Sequence, residues 1–251
     1  MKRKPAGQLL AVDTSSDILG VGVLPELDPP IIDPESPEIM TMELDLGLHH
    51  VEEVATTVNH LLEIVGLSPD DLTGLIAAKG PGSFTGLRIG ASILKGISAV
   101  TDAPITLVPT LEAHALPYRN SPGLVCALVD ARKSRFYVQF FRGGEYLTPA
   151  LDLPADKILE RAATLRRPEE QLLLIGPDAS KLGEPTSGSR LDQSVGSEIG
   201  PVTVTPIRRR SAVRGLLMAG AAQLEHGEVL PDKGGPLYLR GSEAVFPRKR
   251  G

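Results

Sequence analysis

One short pattern occurs twice in this chain, and it limits the fold more than any other feature. "LLAVD" at Leu9–Asp13 is an apolar run ending in aspartate; a polar "TSSD" follows, then Ile18–Leu24 with glycines at alternate positions. From Leu124 the chain reads "LVCALVDARKSRFYVQFF": again an apolar run ending in aspartate, a polar turn and an alternating run. Such runs across a short polar break predict a β-hairpin. Superposing Asp130 on Asp13, an offset of 117, brings Val129 onto Val12, Phe136 onto Leu19, Val138 onto Val21, Phe140 onto Val23 and Phe141 onto Leu24. Two copies of one opening hairpin in 251 residues predict two similar α/β lobes. The expected division is 1–115 for the first lobe, with a helix at about 211–228 returning to it, 116–210 for the second, and an extended tail over 229–251.

The rest of the pattern fits α/β. Ile39–Leu46 reads as a strand. Val51, Val54, Ala55, Val58, Leu61, Leu62 and Val65 recur at helical spacing, with Gly66 placed as a C-terminal cap. "SPDDL" then reads as a helix start, with Ser68 as N-cap and Pro69 first. Leu75–Ala78 reads as a buried strand, Leu87–Val100 as a helix and "APITLV" as a strand. Helix is expected over Asp152–Arg167 and strand over Leu172–Ile175, ended by Gly176-Pro177. A helix of small residues capped by Ser211 runs to Gly227. Pro25–Glu38 and Gly183–Gly200 read as loops.

Composition narrows the classes. A net charge of −5 and only 4% aromatic residues give no bulk attraction to nucleic acid and few stacking platforms. The single cysteine, Cys126, excludes an internal disulfide framework and suits a reducing compartment. Apolar runs are too short to span a bilayer. His49, His50 and His60 flank one helix without ligand spacing, and His114 has Thr110, not histidine, four residues before it. Arg208–Arg210 and Arg248–Arg250 are short basic runs that read as solvated.

"AAKGPGSFTGLRIG" at Ala77–Gly90 invites a phosphate-binding reading, but no Gly-Lys-Ser/Thr follows, and the glycines run G-x-G-x-x-x-G. Pro81 removes an amide donor. Ser83 and Thr85 read as N-cap candidates. Gly82, Gly86 and Gly90, four apart, form a row that admits close approach, of a packed element such as the Val51–Val65 helix or of a ligand. Asp13-Thr14-Ser15 resembles the first phosphate turn of the actin, Hsp70 and sugar-kinase superfamily; the second turn, Asp130-Ala131-Arg132-Lys133, lacks glycine.

Together these motifs resemble the TsaB (YeaZ) family. The resemblance rests on "AVDTSS" at Ala11–Ser16, "GPGSFTGLRIG" at Gly80–Gly90, "VDAR" at Val129–Arg132 and "PLYLR" at Pro236–Arg240, in that order. It covers nearly the whole chain and is weakest in the two loops. It implies an α/β, two-lobed actin-like ATPase (ASKHA, ribonuclease H-like) fold with duplicated lobes. The implied role is in forming N6-threonylcarbamoyladenosine beside the tRNA anticodon. There the chain would be the non-catalytic, cytoplasmic partner that binds and activates a TsaD-like paralogue, the transferase, with a TsaE-like ATPase joining them. The resemblance also implies a homodimer when the paralogue is absent, contact with tRNA only through the complex, and no membrane association. It gives no resident metal or cofactor and leaves ATP or ADP at the complex interface open.

The transferase carries His-x-x-x-His where this chain has Thr110 and His114, so no independent transferase activity is expected. The implied partner interface comprises His49, His50, Val54, Val58, Leu61, Gly82, Gly86, Arg88, Gly90 and Leu94, the glycine row being the bare face that receives a partner helix. Asp13, Thr14, Ser15 and Asp130 would be a vestigial nucleotide site. The alternatives are an ASKHA-type small-molecule kinase, favoured by Asp13 and Thr14, and a metallopeptidase-like protein, disfavoured by the incomplete histidine pair.

Overall fold

Both hairpins form where the alternating runs place them. The computed structural model describes residues 8–24, 39–47, 52–183, 202–204 and 210–230. Strand β1 (Gln8–Asp13) pairs antiparallel with β2 (Ile18–Leu24), and β3 (Met40–Asp45) adds antiparallel to β2. Helix α1 (Val54–Val65) ends at Gly66, whose φ of 73° is the left-handed cap conformation expected of glycine. "SPDDL" yields a single 3-10 turn, Pro69–Asp71, and not a longer helix, because β4 (Leu72–Gly80) begins at once. Helix α2 (Phe84–Thr101), β5 (Ile105–Pro109) and the short α3 (Thr110–Ala115) follow. The sheet order is β3-β2-β1-β4-β5, with β4 and β5 parallel to β1.

The second half repeats this plan. Strands β6 (Leu124–Asp130) and β7 (Arg135–Arg142) form the hairpin, and β8 (Glu145–Tyr146) and β9 (Leu151–Pro154) both pair with β7 as a split third strand. Helix α4 (Ala155–Leu165), β10 (Leu172–Ile175), β11 (Val202–Val204) and α5 (Val213–Glu225) complete it. The order β11-β10-β6-β7-β8 is that of the first sheet, read from the other end. The helix expected from Asp152 starts at Ala155, because Asp152–Pro154 pair with β7 and the Asp152 carboxylate accepts from Arg135 Nε at 2.7 Å.

Each sheet is covered on both faces. Leu10, Val12, Leu19, Val21 and Val23 pack under α1 and α2 through Val58, Leu61 and Leu94. On the opposite face Ala11, Leu24, Ile76 and Ala78 meet Val213, Leu216 and Leu217 of α5. In the second sheet Cys126, Leu128, Phe136, Val138 and Phe140 pack under Ile158 and Leu159 of α4, while Val125, Val129, Tyr137 and Phe141 meet Leu111 and Ala115 of α3. The two halves therefore exchange their last helices: α3, which follows the first sheet, packs on the second, and α5, which follows the second, packs on the first. The helices touch where Gly215 of α5 lies on the Ala113 carbonyl of α3, so a Cβ at 215 would overlap that oxygen.

These faces correct the superposition of Asp130 on Asp13. Leu19, Val21 and Val23 do share the equivalent face with Phe136, Val138 and Phe140. On the first strand, however, Val12 lies under α1 and α2 while Val129 lies on the α3 side. Side chains alternate along a strand, so a shift of one residue turns the aspartate to the other face. By register, Asp13 lies opposite Gly20 but Asp130 opposite Phe136.

Gly215→Ala should lower unfolding stability by about 1–3 kcal/mol through overpacking. Gly96→Ala, in an exposed helical position with open space around its Cβ, should raise it by roughly 0.5–1 kcal/mol. Urea unfolding of the pair tests the exchange; equal effects would contradict it.

Candidate functional site: the paired hairpin turns

The turn after β1 is built around a buried carboxylate. Asp13 is fully buried; its Oδ1 accepts the Ser15 N–H at 2.9 Å and its Oδ2 the Ala212 N–H at 2.5 Å. The first bond is the local turn that Asp favours. The second satisfies a donor at the start of α5, where a negative charge is also favoured by the helix dipole. Thr14 Oγ1 donates to the Gly86 carbonyl at 2.8 Å, and the Ser15 carbonyl accepts the Ser83 N–H at 2.7 Å. Ser83 is the N-cap of α2, its hydroxyl accepting the Gly86 N–H at 3.2 Å.

This geometry explains the glycine row. A Cβ at Gly82 would meet the Ser15 carbonyl, one at Gly86 the Thr14 carbonyl and one at Gly90 the Thr14 hydroxyl. Within the chain, the element that approaches these glycines closely is the Asp13-Thr14-Ser15 turn and not the α1 helix. Gly86 and Gly90 are buried and Gly82 half-buried, so none presents a bare face. Val54, Val58, Leu61 and Leu94, also expected at the interface, are at most 3% exposed and belong to the chain's own core. Arg88 is exposed, its guanidinium 5.1 Å from the Phe84 ring centre. His49 and His50 lie outside the described residues. The outward faces of α1 and α2 carry Ile64, Phe84 and Val100, residues that a search for apolar periodicity assigns to no pocket.

The second turn is held differently. Arg132, Lys133 and Ser134 all have positive φ, 65°, 55° and 56°, a conformation costing roughly 1–2 kcal/mol per residue. Asp130 offsets part of that cost, its Oδ1 accepting the Arg132 N–H at 2.6 Å. Its Oδ2 pairs with Lys181 Nζ at 2.9 Å, and its own N–H donates to Asp178 Oδ2 at 2.9 Å. Burial works against the ionised Asp130 carboxyl, but Lys181 and the Arg132 N–H outweigh it and hold its pKa below the usual range. Asp13 is thus bonded to the start of α5 and Asp130 to Lys181. What joins the turns is an exposed pair, Arg132 to Asp17 at 2.8 Å, a contact that sequence spacing gives no hint of.

Near the turns, the Thr110 hydroxyl accepts the Gly80 N–H at 3.1 Å. His114 is 7% exposed and its Nε2 has no hydrogen-bond partner. Burial lowers its pKa, outweighing Asp13 and Asp178, and so favours the neutral ring. Among the described residues no three His, Cys, Asp or Glu side chains converge as a metal site, and no helix is long and apolar enough to cross a membrane.

The architecture is a duplicated, two-lobed α/β protein in which the carboxylate of each opening turn is engaged within the chain. A family model for TsaD, tRNA N6-adenosine threonylcarbamoyltransferase, matches residues 46–181. The tRNA threonylcarbamoyladenosine biosynthesis protein TsaB of Bacillus subtilis is 32% identical over 176 residues, 68% of this chain and 72% of that protein. A tRNA N6-adenosine threonylcarbamoyltransferase of Methylobacterium sp. is 41% identical over 75 residues, 30% of this chain but 22% of that protein. The TsaB of Escherichia coli is 34% identical over 90 residues, 35% of this chain and 39% of its own. The structure of YeaZ from Pseudomonas aeruginosa superposes with a TM-score of 0.67 at 19% identity, covering 93% of this chain and 100% of that one. The chain belongs to the TsaB family.

Asp13→Ala strands the Ser15 and Ala212 N–H groups and should cost about 2–6 kcal/mol, since each unpaired buried donor costs about 1–3 kcal/mol. Gly86→Ala should cost about 1–3 kcal/mol. Chemical denaturation measures both; an Asp13→Ala protein as stable as the wild type would mean that the carboxylate is uncommitted.

Proposed function

We propose that this chain is a non-catalytic subunit in the formation of N6-threonylcarbamoyladenosine in tRNA, acting by binding and activating a TsaD-like paralogue. The observation that carries the reading is the engagement of Asp13. A fully buried carboxylate bonded to the Ser15 and Ala212 N–H groups is held as part of the chain's own frame, which argues for support over catalysis. Thr110, bonded to the Gly80 N–H, stands where the transferase has a histidine. Family membership supplies the pathway. The same engagement argues against the small-molecule kinase.

The partner surface in this reading is the outward side of α1 and α2. The glycines and core residues of those helices are taken up internally, which leaves Ile64 at 54% exposure, Phe84 at 39% and Val100 at 76%, with Arg88 beside Phe84. A TsaD-like paralogue covers this surface, a second copy covers it in the paralogue's absence, and a TsaE-like ATPase joins the complex. tRNA is reached through the paralogue.

The test has two arms. Tagged chain should retain a TsaD-like protein, and Ile64→Asp and Arg88→Glu should each weaken that binding at least tenfold, about 1.4 kcal/mol, with unchanged melting temperature. In reconstitution with threonylcarbamoyl-adenylate, tRNA modification should require the paralogue and rise when this chain is added. Modification by this chain alone would refute the non-catalytic role; binding insensitive to both substitutions would refute the surface.

A further inference from the structure

A cavity of about 280 Å³ lies between the two halves, away from the outward faces of α1 and α2. Its wall draws on both sheets: Glu43 of β3, His114 of α3, Tyr118 just beyond it, Gly176 at the end of β10, and Arg210 with Ala212 at the start of α5. A space of this size accommodates a small metabolite.

Its chemistry is unusual for a space that packing could have closed. Glu43 is half-buried, and only its Oε2 is engaged, accepting the Ser211 N–H at 3.0 Å. Burial raises the pKa of Glu43, and the Ser211 bond and the Arg210 charge only partly offset this. Arg210 acts through space on both Glu43 and Tyr118, yet it makes no ion pair or hydrogen bond with any described residue. A second guanidinium, Arg214, also lines the wall but has interactions of its own. His114, nine-tenths buried, contributes the neutral imidazole whose Nε2 has no partner.

A carboxylate and a guanidinium thus share one cavity without pairing. The cost falls on Glu43, a half-buried carboxylate with no cationic partner among the described residues, while Arg210 is exposed and hydrated. A simple anion would meet Arg210 but would also face Glu43, with Asp13 and Asp178 acting on the same space through His114. A simple cation has the converse difficulty. A molecule carrying both charges satisfies both walls.

We propose that this cavity binds a small zwitterion of the α-amino-acid class, its ammonium on Glu43, its carboxylate on Arg210, and its remaining polar groups on His114 and Tyr118. The site is independent of any reading of the partner surface. Isothermal titration of the full chain with each of the twenty amino acids should show at least one that binds with a Kd below about 1 mM, a modest affinity for a ligand of this size. Acetate, inorganic phosphate and methylammonium, the separate halves, should not bind in that range. Arg210→Ala, at an exposed position, and Glu43→Gln, which keeps an oxygen for the Ser211 N–H, should each weaken binding at least tenfold. Their circular dichroism should match the wild type; should Glu43→Gln unfold, Arg210→Ala alone decides. No heat with any amino acid, equal binding of phosphate alone, or binding indifferent to Arg210→Ala would each overturn the proposal.

Discussion

The Asp13 carboxylate organises this molecule. One oxygen closes the turn that follows the first strand, and the other receives a backbone N–H from a residue 199 positions later, at the start of α5. Removing a carboxylate from water costs several kcal/mol. Two bonds to a charged acceptor, each contributing about 1.5–3 kcal/mol, together with the favourable end of the α5 dipole, offset that cost. The turn so held gives Thr14 and Ser15 the positions from which they bond α2, and these contacts in turn require glycine at 86 and 90. The first hairpin, α2 and α5 are therefore one unit with an aspartate at its centre.

That arrangement bears directly on function. A turn that presents an acidic side chain to a hydrated cation must leave its oxygens open to solvent. Here both are directed at main-chain donors inside the protein. The second turn follows the same principle by other means: Asp130 spends its oxygens on the Arg132 N–H and Lys181. In each half an acidic residue has become part of the scaffold. The two differ in partner because they point to opposite faces of their sheets, so neither half is a copy of the other at the level of chemistry.

Local chemistry was readable from the amino acids. The hairpins follow from alternation, the end of α1 from Gly66, and the start of α2 from Ser83 with its hydroxyl on the Gly86 N–H. Long-range placement was not. Asp13 and Asp130 align in the written sequence, but period two makes one residue of slip enough to reverse a strand's facing, and apolar residues on both faces of β1 and β6 hide the slip. The glycine row announced a close approach without saying by what, since Thr14 lies 72 residues from Gly86. The family resemblance implies a partner interface at Val54, Val58, Leu61 and Leu94, whereas their helical periodicity buries them in the chain's own core. The small cluster of Glu43, His114, Tyr118 and Arg210 left no signal, because its members come from three separate segments.

The exchange of α3 and α5 decides which parts of the inter-lobe region can move. At the mouth, the turns are joined by Arg132 and Asp17, an exposed pair of the kind that contributes about 0–1 kcal/mol. At the base, α5 packs on the first sheet and α3 on the second, and they cross with Gly215 against the Ala113 carbonyl. Separating the base exposes buried side chains at about 25 cal/mol per Å², so it is far more costly than parting the mouth. A motion that parted the mouth would therefore pivot at the crossing. Ala113 and Gly215 are also walls of the inter-lobe cavity, so its shape is set by the rigid end of the pivot. A site there is preformed, and little of the affinity of a small ligand is lost to ordering the protein around it.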